Sequence, residues 1–183
     1  MKYEQTSIDG VYTITPNVFK DERGYFFESF KEDEFCGCVG DVHFVQENQS
    51  KSSYGVLRGL HYQKGDAAQA KLVRVVQGSV LDVAVDIRKS SPTFGKYVAV
   101  ELSEYNHKQL FIPRGFAHGF LVLSDTAVFC YKVDNVYDPQ ADAGIRWDDP
   151  GINIQWPERA IVNAKFSEKD MHHPYLKDAE VFD

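Results

Sequence analysis

Short stretches in which apolar and polar residues alternate recur along the whole chain, separated by Gly, Pro, Asn and Asp turns. Alternation with a period of two directs successive side chains to opposite faces of a strand, so these stretches predict β-strands. They cover residues 42–46, 55–62, 71–77, 79–87, 96–102, 109–112, 119–123, 127–133 and 152–156. Many short strands at such spacing predict an all-β sandwich or barrel.

Two segments at the sides of this pattern predict short helices, near residues 29–37 and 167–173. In the second, Ser167 followed by Asp170 fits a capping box at a helix N-terminus. No linker, low-complexity tract or internal repeat interrupts the chain. We therefore expect residues 1–183 to form a single domain, which is long enough to bury a core without disulfide or metal staples.

The stretch 79–87 places two acids on one face of a predicted strand. Alternation sends Asp82 and Asp86 to one side and the aliphatic residues to the other. In an ordinary sandwich that acidic face is simply in water, and the strand by itself favours this interpretation. In a barrel with a ligand lumen the acids would instead line the inner wall and would need donors such as His118.

Composition and charge narrow the classes of partner. The formal net charge is -7, and no run of Lys or Arg forms a basic stripe, so a nucleic-acid partner is not expected. The N-terminal residues contain no apolar signal-peptide core, and no apolar run approaches the length of a membrane span. We expect no membrane partner and a cytoplasmic location.

The stretch "SYGVLRGLHYQ", residues 53–63, carries Arg58 and His61 inside an otherwise apolar strand. The simplest interpretation is a sheet histidine bonded to a backbone carbonyl. Strict alternation puts the two side chains on opposite faces, but a bulge at Gly59 would let both line one pocket. Further donors on this and neighbouring strands favour a pocket for an anionic ligand, namely Lys71, Arg74, Tyr131 and Lys132.

The spacing from Gly55 to His61, followed by "IPRGFAHGF", resembles the two histidine motifs of the cupin jelly roll. This resemblance implies a cupin-type jelly-roll β-barrel with short flanking helices. Metal-binding cupins place a second histidine where this chain has Gln63, and no Glu follows in the short loop. Only His61 and His118 remain, fewer than the three protein ligands of a catalytic site, so no metal and no cofactor are expected.

A more specific resemblance covers residues 14–170. The stretches "FKDERGYFFESF", "QENQSKSSYGVLRGLHYQ", "QLFIPRGFAHGFLVLS", "YKVDNVYDP" and "GIRWDDPGINIQWP" occur in the order found in dTDP-4-dehydrorhamnose 3,5-epimerases. The resemblance implies metal-independent conversion of dTDP-4-dehydro-6-deoxy-D-glucose to dTDP-4-dehydro-L-rhamnose, for dTDP-L-rhamnose biosynthesis. It also implies that two copies of the chain form a homodimer. The small molecule that the protein binds would be a nucleotide sugar.

The same resemblance implies four catalytic residues. His61 would be the base, Asp170 the carboxylate that orients it, Tyr131 the acid on the other face of the sugar, and Lys71 the cation near the C4 oxyanion. From the residues alone, each has a plain structural interpretation. Asp170 fits a helix cap, Tyr131 a barrel-wall tyrosine, and Lys71 a solvated lysine.

Substrate-binding residues implied by the family are Arg23, Phe26, Glu28, Gln46, Asn48, Arg58, His118, Tyr137, Asp142 and Lys169. Tyr137 would stack on the thymine, and the guanidinium groups would hold the diphosphate. Outside the family, Arg23 and Glu28 would be a surface ion pair and Tyr137 a turn aromatic. Asp142 stands where the family usually has Glu, so the carboxylate is kept but its side chain is one methylene shorter. His118 is expected to pair with Asp82.

Three alternative functions stay open at the level of sequence. A relative that inverts only C3 or only C5 would carry the same motifs. A metal-dependent cupin oxygenase is disfavoured by Gln63. A non-catalytic carbohydrate-binding jelly roll is disfavoured by the joint presence of His61, Asp170 and Tyr131.

Overall fold

Residues 1–183 are described by a computed structural model that consists mostly of strands with few short helices. The strands are β1 Lys2–Gln5, β2 Tyr12–Thr15, β3 Phe19–Asp21, β4 Gly24–Phe26, β5 Gln46–Ser53, β6 Leu57–Gln63, β7 Lys71–Gln77, β8 Ser79–Asp86, β9 Tyr97–Ser103, β10 Gln109–Ile112, β11 Phe116–Val122, β12 Thr126–Val133 and β13 Asp142–Gly144. The α-helices are α1 Glu32–Cys38, α2 Glu158–Ile161 and α3 Glu168–His172. None of the helices has the length and hydropathy needed to cross a membrane.

The strands form two large antiparallel sheets that face each other. One has the order β1-β2-β10-β7-β12-β5 and the other β13-β6-β11-β8-β9, while β3 and β4 form a separate hairpin. The main core lies between the sheets, where Phe120 of β11 stacks on Phe129 of β12 at a ring distance of 4.2 Å. The all-β prediction is confirmed, but the β-barrel implied by the cupin resemblance is not closed, because the two sheets are held together by packed side chains and not by a continuous strand ladder.

Most predicted strands are confirmed, but two are wrong. Residues 42–46 lead into β5 rather than forming a strand, and residues 152–156 form a loop whose apolar side chains pack without strand pairing. The polar strand β5 was missed because it lies at a sheet edge, where its sequence "QENQSKSS" shows little apolar alternation. The predicted helices correspond to α1 and α3, and the Ser167–Asp170 capping box is present.

The acidic face of β8 is not in water, so that interpretation is wrong. Asp82 and Asp86 are both fully buried. Asp82 accepts hydrogen bonds from His118, and Asp86 accepts from Arg88, Ser91 and Thr93. The acidic face of β8 packs against the six-stranded sheet, and its aliphatic face packs against C-terminal residues such as Leu176 and Phe182, so both faces are covered in a way that the alternation does not reveal.

Candidate active site

A distortion in β6 brings Arg58 and His61 to one cavity, as predicted. His61 pairs with His118 of β11, but the register shifts by one residue before Arg58 pairs with Phe120. Gly59 lies within the shift at φ +132°, and a Cβ there would approach the Cα of Gly119 to 2.5 Å. Both side chains line a cavity of about 160 Å³ between the sheets.

The imidazole of His61 is held by Asp170 from helix α3. Nε2 of His61 lies 2.5 Å from Oδ1 of Asp170. Asp170 itself is only 2% exposed. The second carboxylate oxygen accepts from the hydroxyl of Ser167 at 2.7 Å, so one side chain both caps the helix and holds the imidazole. Burial opposes ionisation, but the hydrogen bonds from His61 and Ser167 outweigh it and lower the pKa of Asp170 to about 2.

Tyr131 and Lys71 reach the same cavity from the opposite sheet, on the adjacent strands β12 and β7. Burial raises the pKa of Tyr131 against the opposing effects of Arg58 and Asn48, so its hydroxyl stays protonated and can donate. Burial lowers the pKa of Lys71 to about 8, although the negative charge of Asp82 favours the ammonium. Lys71 is thus a cation that loses its charge just above neutral pH.

A second cavity of about 340 Å³ shares His61, Lys71 and Tyr131 with the first and opens outward. Its other walls are made by Gln46, Asn48, Tyr62, Gln63, Gln69, Tyr137 and Asp142. Tyr137 is 52% exposed and lines this cavity, so part of its side chain is accessible to a ligand there. The structure therefore places Gln46, Asn48, Tyr137 and Asp142 around one opening, next to the His61–Asp170 pair.

Three of the predicted residues contact other residues of the chain. Asp142 forms an ion pair with Lys169, and Gln63 Nε2 lies 3.5 Å from its carboxylate. His118 is buried and bonds to Asp82 at 2.9 Å, which confirms the predicted pairing. Burial lowers the pKa of His118 in spite of the carboxylate beside it.

Arg23, Phe26 and Glu28 are not brought to this cavity. Arg23 and Phe26 lie on the exposed β3–β4 hairpin and line a separate depression that shares no residue with the cavities above. Arg23 donates through Nε to Asp21 at 3.1 Å, so the alternative of a surface pair with Glu28 is wrong.

Comparison with known proteins decides the family. The profile of the dTDP-4-dehydrorhamnose 3,5-epimerase family matches residues 5–178. The dTDP-4-dehydrorhamnose 3,5-epimerase of Shigella flexneri is 55% identical over 183 residues, which cover 100% of this chain and 99% of that protein. The chain belongs to the dTDP-4-dehydrorhamnose 3,5-epimerase family. The resemblance seen in the sequence motifs is thereby confirmed.

Solved structures of the family superpose closely. The dTDP-6-deoxy-D-glucose-3,5-epimerase of Legionella pneumophila, in complex with dTDP-4-keto-L-rhamnose, gives a TM-score of 0.93 at 45% identity, covering 98% of this chain and 94% of that one. A 3′-monoepimerase from Streptomyces bikiniensis, in complex with dTDP-quinovose, gives a TM-score of 0.87 at 32% identity, covering 94% and 86%.

His173 lies beside the His61–Asp170 pair and was missed by sequence reasoning. Its ring packs edge-on to that of His61 at 5.5 Å, and its Nε2 lies 4.0 Å from Asp170 Oδ1. Burial lowers the pKa of His173 to about 4, and repulsion from His61 adds to that effect. A signal existed in the sequence, since Asp170 and His173 are three residues apart in a predicted helix and would share a face.

Proposed function

We infer that this chain is a dTDP-4-dehydrorhamnose 3,5-epimerase, which inverts C3 and C5 of dTDP-4-dehydro-6-deoxy-D-glucose in dTDP-L-rhamnose biosynthesis. One observation carries the mechanism. The imidazole of His61 enters the cavity from the five-stranded sheet, whereas the phenol of Tyr131 enters from the six-stranded sheet. A sugar ring bound between the sheets would have a proton acceptor on one side and a donor on the other.

The roles follow from the protonation states of these groups. Asp170 bonds to Nε2 of His61, which leaves Nδ1 to remove the acidic protons at C3 and C5 next to the C4 ketone. Tyr131 is protonated and returns a proton from the other face. The Lys71 ammonium stabilises the negative charge that develops on the C4 oxygen, and its partly buried position strengthens that interaction.

The nucleotide is proposed to occupy the outer cavity. Tyr137 would stack on the thymine, with Gln46 and Asn48 as hydrogen-bonding partners on the same wall. Arg58 would contact the diphosphate from the inner cavity. Lys169 and Asp142 form an ion pair beside this opening, so the shortened carboxylate of Asp142 is proposed to act by holding Lys169 toward the phosphates.

The architecture supports a jelly roll of the cupin type as a single domain. From β5 to β8 successive strands alternate between the two large sheets, and β10, β11 and β12 do so again. Such alternation is typical of the paired Greek keys of a jelly roll. A nucleotide-sugar substrate is consistent with a cytoplasmic enzyme.

A homodimer is proposed because the β3–β4 hairpin cannot serve the cavity of its own chain. Phe19 and Phe26 are 65% and 67% exposed, an unusual exposure for phenylalanine. A second copy that covers this hairpin would bury these rings. It could also bring Arg23, Phe26 and Glu28 to the partner's cavity, which would reconcile their position with the binding role implied by the family.

No metal is proposed to take part in the reaction. Gln63, at the position of the second cupin histidine, is buried and accepts from the backbone N–H of Asp138 at 2.8 Å, so it holds the loop beside Tyr137. His118 is bonded to Asp82. Treatment with EDTA should leave turnover unchanged, and a loss that Fe²⁺ or Zn²⁺ restores would contradict the proposal.

The deciding experiment separates proton exchange from inversion, by incubation with dTDP-4-dehydro-6-deoxy-D-glucose in D₂O and NMR of C3 and C5. His61→Asn should abolish both exchange and product, a loss of at least about 10²- to 10⁴-fold. Tyr131→Phe should still exchange deuterium with retained configuration, because the enolate can be reprotonated from the face it left. Asp170→Asn should resemble a milder His61 variant.

If exchange and inversion fall together in Tyr131→Phe to the level of His61→Asn, the division of roles between the two sheets is wrong. Deuterium at C3 alone in the wild type would instead indicate a 3-epimerase. That second candidate rests on the structural similarity to the Streptomyces bikiniensis 3′-monoepimerase.

A further inference from the structure

Three potential metal-ligand atoms lie close together in the proposed active site, from His61, Asp170 and His173. The proposed mechanism gives no role to His173. The nitrogens of His61 and His173 and a carboxylate oxygen of Asp170 all lie within 4.8 Å of one another. The side chain of His173 is only 9% exposed, and its Nε2 has no hydrogen-bond partner. A buried imidazole nitrogen that faces a carboxylate and a second imidazole without a bond is unusual, because such atoms normally find a partner.

The backbone makes room for this arrangement. Gly144 of β13 pairs with His61 of β6, and a Cβ at Gly144 would lie 2.4 Å from Nε2 of His173. Any side chain at Gly144 would therefore push the ring of His173 away from the pair. The absence of a side chain at Gly144 lets the ring of His173 lie against β13, with its unpartnered Nε2 4.0 Å from Asp170 Oδ1.

We propose that His61, Asp170 and His173 form a site for a divalent transition metal such as Zn²⁺, and that metal bound there inhibits the enzyme. Two imidazoles and one carboxylate with an open fourth position are a ligand set that Zn²⁺ accepts. This metal is an inhibitor and not a cofactor. The binding site stands on geometry alone, whereas its inhibitory effect rests on the proposed role of His61 as base.

The distances fit a small rearrangement. Ligand atoms about 2.0–2.1 Å from a tetrahedral Zn²⁺ lie roughly 3.3 Å from each other. The His61–Asp170 contact of 2.5 Å would open by under about 1 Å, and the His173–Asp170 contact of 4.0 Å would close by a similar amount.

Inhibition follows from where the imidazole proton goes. Metal binding needs the lone pair of His61 Nε2, so the proton that this nitrogen shares with Asp170 moves to Nδ1 of the same neutral imidazole, and no proton is released. Nδ1 is the nitrogen available to the cavity for proton abstraction. With its lone pair occupied by that proton, His61 can no longer act as the base, even before the metal blocks substrate.

The chain offers a second cluster for comparison, formed by Cys36, Asp41 and His43 at the surface. Both nitrogens of His43 already face carboxylates, Glu32 at 2.9 Å and Asp41 at 2.9 Å. The cluster is largely exposed and has no unpartnered buried atom, so it is the weaker candidate.

The test uses Co²⁺ as a spectroscopic substitute for Zn²⁺ in the full-length protein without substrate. Titration should give visible d–d bands of four- or five-coordinate Co²⁺ at one ion per chain, and Zn²⁺ should displace them. His173→Ala and the larger His173→Gln should each weaken Co²⁺ binding by at least about 100-fold, because a ligand is lost. The matched control His172→Ala, whose imidazole is exposed and bonded to the backbone of Glu168, should bind like the wild type.

Zn²⁺ should also suppress deuterium exchange in the wild type and in His172→Ala, but much less in His173→Gln. Absence of Co²⁺ bands, or bands that persist in both His173 variants, would overturn the site. Loss of the bands in Cys36→Ser would place the metal at the surface cluster and would equally overturn it. Because the spectrum needs no turnover, metal binding can be established even if the epimerase assignment fails.

Discussion

Lys71 illustrates how single side chains in this site are tuned by burial. An acidic chain with a net charge of -7 nevertheless holds Lys71 and Arg58 at a cavity that is also lined by His61 and His118. Removal from water lowers the pKa of Lys71 to about 8. Burial of the Lys71 ammonium costs free energy, and such a cation is expected where a bound ligand supplies negative charge.

Lys71 should set the alkaline limit of activity. Its depressed pKa means that the ammonium is present below about pH 8 and is lost as the pH rises through that value, so kcat/KM should fall there. Tyr131 cannot cause this fall, because burial raises its pKa. Lys71→Arg keeps the charge and should move the limit to higher pH, whereas Lys71→Met should lower kcat by about 10²–10³-fold. An unchanged limit in Lys71→Arg would assign the titration elsewhere.

Tyr137 should contribute to nucleotide affinity without affecting the chemical step. Tyr137→Ala removes the stacking surface and should weaken dTDP binding by about 1–3 kcal/mol, measured by calorimetry. Tyr137→Phe keeps the ring and should bind almost like the wild type. Equal affinity of the Ala variant and the wild type would remove the stacking role.

At the scale of elements, the site depends on an irregular stretch of β6 that faces a regular stretch of β7 and β12. β6 changes register against β11 between His61 and Arg58, and the close approach of Gly59 to Gly119 makes the change possible. From Phe129 to Val133, β12 pairs with β7 in unbroken register, which places Tyr131 opposite Val73, two residues along β7 from Lys71. The regular sheet positions the cation and the acid, while the distorted strand turns the base toward them.

Gly59→Ala should be strongly destabilising, as measured by urea unfolding. The new Cβ would meet backbone at 2.5 Å, which adds an overpacking cost of about 1–3 kcal/mol to the conformational cost at φ +132°. Gly24→Ala is the matched control, because Gly24 has φ +130° but nothing within 4 Å of its Cβ position. Similar losses in both variants would show that the close approach to Gly119 does not matter.

At the scale of the whole molecule, the β3–β4 hairpin is joined to neither large sheet, and a single chain does not explain its exposed aromatic side chains. β3 and β4 pair only with each other and expose Phe19, Tyr25 and Phe26. An isolated hairpin is marginally stable in water, so a covering surface would stabilise it. The proposed second copy supplies that surface.

Disruption of this surface should therefore change the oligomeric state. Light scattering should give the wild type a mass of about twice the chain mass of 20.8 kDa. The hairpin variant, which combines Phe19→Asp and Phe26→Asp, should give a mass closer to that of the monomer. Tyr105→Asp is the control, since Tyr105 is exposed elsewhere. A wild-type monomer, or an effect of Tyr105→Asp equal to that of the hairpin variant, would contradict the dimer.

If Arg23 acts in the partner's cavity, inactive Arg23→Ala and His61→Asn chains should complement each other. Each mixed dimer then contains one cavity with both native residues, and random mixing should restore about a quarter of wild-type activity. No recovery after confirmed subunit exchange would show that Arg23 does not act across the dimer.

The sequence determined the elements whose signals are local. Alternation located the central strands, Ser167 and Asp170 marked the start of α3, and the position of Gly59 predicted the distortion of β6. These features depend on neighbouring residues, through side-chain direction, capping and backbone freedom. The ordered motifs also identified the family, although the edge strand β5 was missed because its residues are mostly polar.

Only the tertiary structure decided how distant segments meet. It buried Asp82 and Asp86, left the barrel open, joined His61 to Asp170 across 109 positions, and placed His173 beside them. Burial and long-range pairing are properties of what covers a residue, and no local pattern carries that information. The lowered pKa of Lys71 has the same origin, because desolvation exists only after the two sheets have packed.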